Sequence, residues 1–343
     1  MSRNLISLSA IATLLGGTAM ADVPNVAVDI APVHSLVSRV MDGVGTPDLI
    51  LPPGASPHEY SLRPSEAAAL QDADIVVWMG KDLAPWMEGA VATLAGDAEV
   101  LTLLEADGTM LLDFREGASF EKHGHDDEHD LENHAEDDHD HDEEHDHAED
   151  DHNHEADSED ERDHGDEEHA HAHGAFDSHA WLSPTNAATW LNLIAAELSA
   201  ADPENAGKYF ANAAAGREEL EALNAEVNAM LEPVRGGNFI AFHDAYQYFE
   251  TDFDFPASGA ISLSDATDPS PARIAEIQER VRAEGIDCVL TEPQFNPGIV
   301  ATVLEGTDAK TGVSDPIGAT LEPGPTLYPQ LIRGLATSLA DCL

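Results

Sequence analysis

From residue 25 onward the chain alternates short, β-branched apolar runs with stretches in which apolar residues recur every three or four positions. That is the pattern of strands joined by crossover helices, and it predicts the α/β class. In the first third, residues 25–30, 48–51, 74–78 and 99–104 read as strands, and 35–41, 65–70 and 85–94 as helices. Further on, Ser183-Pro184 is a cap and first turn opening a helix to about residue 199, because Pro is tolerated where the amide has no helical partner. Asp202-Pro203 repeats the signal. After it Phe210, Ala213, Leu220, Leu223, Val227 and Met230 recur at spacings of three, four and seven, with no further Pro before about residue 231. A helix of about 28 residues would be about 42 Å long, a rigid strut between two lobes. Gly216 weakens that pattern, and a kinked pair of shorter helices is the alternative. Beyond residue 233, strands are predicted at 238–242, 287–290 and near 310–313, and helices at 245–249, 271–284, 297–304 and 327–339. The C-terminal lobe is thus a second βα array of similar size.

Between the two arrays the pattern stops. In residues 121–173 the only apolar side chain larger than Ala is Leu131, while the 53 positions hold 26 Asp/Glu, two cations (Lys122 and Arg162) and 14 of the 18 histidines. Such a stretch cannot bury enough surface to offset its ordering entropy, so a disordered loop is expected over residues 119–174. The expected organisation is a signal peptide at 1–21, an N-terminal lobe at 22–202 carrying this insert, a linker helix at 203–233 and a C-terminal lobe at 234–343.

Charge narrows the partners. The 343-residue chain carries a formal charge of −52, of which −24 lies in residues 121–173 and −28 elsewhere. Nucleic acid is excluded as an expected partner, since phosphate binding needs Lys and Arg to displace counterions. An anionic membrane surface is disfavoured for the same reason. The N-terminus has Arg3, an apolar stretch over 5–15 and the small-x-small sequence Ala19-Met20-Ala21, which read as a secretory signal cleaved after Ala21. The run is too short to span a bilayer, so a monomer in the periplasm with no direct membrane insertion is expected. In that oxidising compartment the two cysteines, Cys288 and Cys342, are expected as a disulfide, with two buried thiols as the alternative.

Outside the insert four histidines remain: His34, His58, His179 and His243. His58 follows a predicted strand in Gly54-Ala55-Ser56-Pro57-His58-Glu59-Tyr60, and His243 leaves the first strand of the second lobe in Phe242-His243-Asp244-Ala245-Tyr246. His179 precedes the capped helix, in Asp177-Ser178-His179-Ala180-Trp181-Leu182-Ser183-Pro184. Carboxyl ends of strands face the ligand crevice in open α/β sheets, which places His58 and His243 on opposite sides of a cleft. Three neutral imidazoles suit zinc and leave a fourth position for a carboxylate or water. Taken singly each histidine is ordinary; the case rests on the three together in a chain that also carries a metal-attracting tract.

These segments, followed by Thr291-Glu292-Pro293-Gln294-Phe295, resemble in order the zinc branch of the periplasmic metal-binding proteins of ABC transporters. The resemblance implies two (β/α) lobes with mostly parallel four-stranded sheets, one long rigid helix between them and the metal site in the interlobe cleft. It implies zinc capture by His58, His179 and His243, delivery to an inner-membrane ABC permease, and no enzyme activity. The manganese branch usually has Glu where this chain has His243, and the paired cysteines resemble the disulfide of the zinc branch. For the fourth ligand the resemblance offers Glu59, Asp315 or water. His34 has no counterpart and reads as a helix-start residue, while Asp244 and Glu292 could each orient a ligand imidazole or serve only as loop caps. The alternatives are a secreted zinc-dependent hydrolase and a metal buffer acting mainly through the insert. Against the hydrolase, His58-Glu59-Tyr60-Ser61-Leu62 lacks the second His of the H-E-x-x-H motif.

Overall fold

A computed structural model describes residues 23–115, 120, 176–262 and 269–343. The expected signal peptide and, Phe120 apart, the insert lie outside the described residues. Two four-stranded sheets are present, all pairings parallel. The first has the order β2-β1-β3-β4, from β1 (Val26–Val28), β2 (Asp48–Leu49), β3 (Ile75–Trp78) and β4 (Glu99–Thr102), with α1 (Ala31–Val40), α2 (Pro64–Gln71) and α3 (Pro85–Leu94) as crossovers. After α4 (Pro184–Ala201) and α5 (Ala206–Leu231), the second repeats the scheme as β6-β5-β7-β8. Its strands are β5 (Phe239–His243), β6 (Gly259–Ser262), β7 (Cys288–Thr291) and β8 (Lys310–Val313), with helices α6 (Gln247–Phe253), α7 (Pro271–Glu284), α8 (Pro297–Val303) and α9 (Leu327–Cys342).

Strand parity explains the layering. Val26, Val28, Ile75 and Val77 of the first sheet and Phe239, Ala241, Cys288 and Leu290 of the second share one core with α1, α4, α5 and α9. The alternate residues Ala27, Val76 and Trp78 form a separate outer core under α2 and α3, and Ile240, Phe242 and Val289 another under α7 and α8. Both faces of each sheet are covered, which is why the central strands read as continuous apolar runs. His243 has the parity of Phe239 and Ala241, so its side chain falls on the inner face.

The long helix is single and unbroken, 26 residues or about 39 Å. Its buried stripe runs Tyr209, Ala213, Gly216, Leu220, Leu223, Val227, Leu231. Gly216 is a packing residue rather than a flaw: a Cβ there would come within 2.9 Å of Leu191 on α4. Three features depart from expectation. The helix expected at 35–41 begins at Ala31, with Pro32 in its first turn, so His34 lies inside it rather than at its start. The strand Gly259–Ser262 is additional to the three read in the second lobe, since Gly-Ala-Ile-Ser contains one large apolar residue. The helix expected at 245–249 begins only at Gln247, because the chain leaving β5 first makes a tight turn in which Ala245 N–H donates to the His243 carbonyl. Cys288 and Cys342 form a disulfide joining β7 to α9, closing a separation of 54 residues. In the loop-entropy model that closure contributes about 4 kcal/mol. Among the described residues no helix is long and apolar enough to cross a membrane.

Candidate metal centre

In each sheet the strand order reverses beside the first strand, between β1 and β3 and between β5 and β7. Such switch points open crevices at the carboxyl ends of the strands. In the second lobe His243 ends β5 and Glu292 follows β7, so the two meet across that crevice: His243 Nδ1 lies 2.7 Å from Glu292 Oε1. A ring nitrogen this close to a carboxylate carries the proton, and the opposite nitrogen, Nε2, is turned away from Glu292. The His243 N–H also points to Glu292 Oε1 at 3.4 Å, and Gln294 Nε2 donates to Oε2 at 2.9 Å. Glu292 is 1% exposed, so its orientation is set by these bonds rather than by solvent. Phe295 stacks on Phe242 and lies edge-on to the His243 ring.

His179 stands on the segment leading into α4. Its backbone N–H and its Nδ1 both meet Asp177 Oδ1, at 2.9 and 2.7 Å, which again presents Nε2 outward. Trp181 packs against its ring and donates from Nε1 to the Pro316 carbonyl. His58 comes from the loop after β2, which is tied down on both sides: Trp86 Nε1 donates to the Pro57 carbonyl at 2.7 Å, and His58 N–H donates to Ser56 Oγ.

The three rings converge. The His58 and His179 centroids are 5.5 Å apart, and those of His179 and His243 5.4 Å. Zn–N bonds of about 2.0–2.1 Å in tetrahedral geometry would set imidazole centroids about 5.2 Å apart. Among the described residues no group of three or more His, Cys, Asp or Glu side chains stands, as placed, so as to hold a metal ion; what is present is His179 at nearly the tetrahedral spacing from each of the other two rings. His179 and His243 border a cavity of about 170 Å³ lined also by residues 54–57, Trp181, Gln294, Phe295, Pro316 and Ile317, and His58 follows the first of these segments in sequence.

The remaining candidates separate. Glu59 is exposed. Asp315 is engaged in its own turn, Oδ1 accepting from Ala319 N–H and Oδ2 from Thr320 N–H and Oγ1. His34 lies inside α1 with Nε2 against the Pro47 carbonyl, and burial lowers its pKa. Asp244 pairs with Arg115. Burial raises the Asp244 pKa to about 6 even against the pull of that guanidinium. Burial opposes the charge on Arg115, but Glu250 and Asp244 more than offset it and hold its pKa above the ordinary arginine value. Neither Asp177 nor Arg115 was marked by sequence reasoning; Asp177 had a signal, standing two residues before a candidate ligand, whereas Arg115 had none.

Two parallel (β/α) lobes bridged by a long helix, with inward-facing imidazoles between them, define a bilobal metal-ion binding protein. The same fold occurs in a solved structure titled "Crystal structure of ZnuA", with a TM-score of 0.69 at 21% identity, over 94% of this chain and 99% of that one. Residues 26–342 match the family described as "Zinc-uptake complex component A periplasmic", and the chain belongs to that family. It is 44% identical over 341 residues to the high-affinity zinc uptake system protein ZnuA of Brucella abortus (strain 2308), covering 97% of this chain and 96% of that protein. The ZnuA of Paracoccus denitrificans is 40% identical over 337 residues, covering 97% of both chains.

Proposed function

We propose that this chain captures periplasmic zinc with His58, His179 and His243 and delivers it to an inner-membrane ABC permease, working as a monomer after removal of residues 1–21. It is the substrate-binding component of a high-affinity zinc uptake system, a transport protein rather than an enzyme. Zinc is its cargo. The observation that carries the ligand assignment is the approach of the His179 ring to those of His58 and His243, with His179 and His243 oriented from behind by buried carboxylates. That is the usual way a protein fixes the tautomer of a metal-binding histidine. The fourth position falls to Glu59, through a rearrangement of the exposed turn that carries it, or to water; the bonds of Asp315 within its own turn argue against that residue. The histidine-rich insert serves as a tethered reservoir of weak, exchangeable sites.

Alanine at His58, His179 or His243 tests the assignment by zinc titration against a competing chelator. Each replacement is expected to weaken tight binding by more than the ~10–100-fold typical of losing an outer partner of a ligand. A buffer acting through the insert alone predicts that all three variants keep the wild-type affinity, and that result would overturn the reading.

A further inference from the structure

We infer that Arg115 is a positioning residue for metal capture, clamping the segment that carries His179 to the strand exit that carries His243. The inference rests on the assignment of those two histidines as zinc ligands. Residues 112–115 and 176–177 form a paired stub: Asp177 N–H donates to the Leu112 carbonyl at 2.9 Å, and Asp113 and Phe176 make an antiparallel bridge. Tyr248 of α6 pins this stub by accepting from Leu112 N–H and donating to the Asp177 carbonyl at 2.7 Å. From the end of the stub the Arg115 guanidinium reaches across to the other lobe. Its Nε donates to Asp244 Oδ2 at 3.1 Å, and Nη1 and Nη2 donate to Glu250 Oε2 and Oε1 at 2.9 and 3.0 Å. Nη2 also meets Asp244 Oδ1, and the Phe120 ring covers the guanidinium at 3.7 Å.

The geometry of this clamp bears on the metal site from both ends. Asp244 is the residue after His243, and Asp177 holds the His179 ring. The fork therefore sets the separation between one imidazole of each lobe. It also offsets the charge of two carboxylates that are 3% and 7% exposed and that would otherwise face each other in a poorly solvated space. Lysine keeps the charge but puts a point charge on a flexible stem in place of the planar fork, so it loses the paired bonds that fix the two carboxylates.

The test compares the wild-type full chain with Arg115→Lys, Arg115→Met and, in parallel, His243→Ala. Zinc is the only probe; its release to excess chelator is followed by stopped flow, and the thermal midpoint of each zinc-free protein is measured separately. The expected result is zinc release about tenfold faster in Arg115→Met, the lower edge of the range for partners behind a metal ligand, with Arg115→Lys between it and wild type. A purely structural arginine would lower the zinc-free midpoint and leave release unchanged. Wild-type release from Arg115→Lys, together with lost binding in His243→Ala, overturns the clamp alone. Tight binding retained in His243→Ala overturns the ligand assignment and the clamp with it. If Arg115→Met does not fold, Arg115→Lys decides.

Discussion

Replacing Glu292 separates the proposed zinc ligand His243 from the carboxylate behind its ring. Glu292 takes three bonds: His243 Nδ1 at 2.7 Å, His243 N–H at 3.4 Å and Gln294 Nε2 at 2.9 Å. In Glu292→Gln the carboxamide oxygen can still accept from His243, but its NH2 then faces the Gln294 amide. Gln294 can rotate to offer its own oxygen, so the imidazole keeps its tautomer and loses only the charge behind it. The expected cost is about tenfold in zinc affinity, or ~1.4 kcal/mol. Glu292→Ala removes every bond and frees the ring to turn, which moves the cost toward about a hundredfold, or ~2.7 kcal/mol. Competition with a zinc chelator at pH 7.5 gives the affinities, and denaturant unfolding of the zinc-free proteins shows whether folding has changed. If both variants bind zinc within about twofold of wild type, the carboxylate does not orient His243 for metal and the reasoning fails.

Two further outcomes concern pH. An imidazole must be neutral to bind zinc, so affinity should fall as the pH is lowered, and a zinc affinity flat from about pH 7.5 to about 5 would contradict imidazole ligation. In the first lobe, burial pushes the Asp29 carboxyl up to about 7, against the pull of the Met79 and Ile30 N–H groups. An unfolded aspartate titrates near ~3.9, so between about pH 4 and 7 the folded state holds a proton the unfolded state has lost. The stability this gives is complete below about pH 4 and declines as pH rises toward 7. Asp29→Asn should flatten that decline in urea unfolding; curves that stay parallel would show that Asp29 is ionised throughout.

The candidate site was legible where its residues are local in sequence. His58, His179 and His243 each sit in a short segment of turn and cap residues at the end of an element, and the parity of β5 puts His243 on the inner face. What lies behind them was legible only in part. Sequence offered Asp244 and Glu292 as equal candidates to orient an imidazole, but Asp244 turns to Arg115 while Glu292, 49 residues away, arrives beside His243 because β5 and β7 are adjacent strands. Nothing local marks Arg115, whose partners are 129 and 135 residues distant. Gly216 read as a weak point of the long helix, because the close approach of Leu191 is a tertiary fact.

The shared core decides which parts of the molecule respond to zinc. Side chains from both lobes, among them Leu36, Trp181, Trp190, Tyr248, Tyr328 and Leu335, pack in one cluster with the long helix. Hydrogen bonds cross within it: Tyr328 N–H donates to Ser35 Oγ, and Tyr328 Oη–H to the Trp181 carbonyl, both at 2.9 Å. Burying a large apolar side chain is worth about 1.5–3 kcal/mol, so a hinge that parted even three of them would cost several kcal/mol. Each ~1.4 kcal/mol lowers the open population tenfold, which makes a wide-open zinc-free state rare. Capture should instead proceed by small movements of the loops that border the cavity, those at 54–60 and 292–296, while α4, α5 and α9 stay packed. Hydrogen exchange with and without zinc distinguishes the two modes. Zinc should slow exchange in the two loops and leave α5 (Ala206–Leu231) and α9 (Leu327–Cys342) unchanged; zinc-dependent protection spread along those helices would mean that the lobes swing apart and that the shared core is not the restraint it is argued to be.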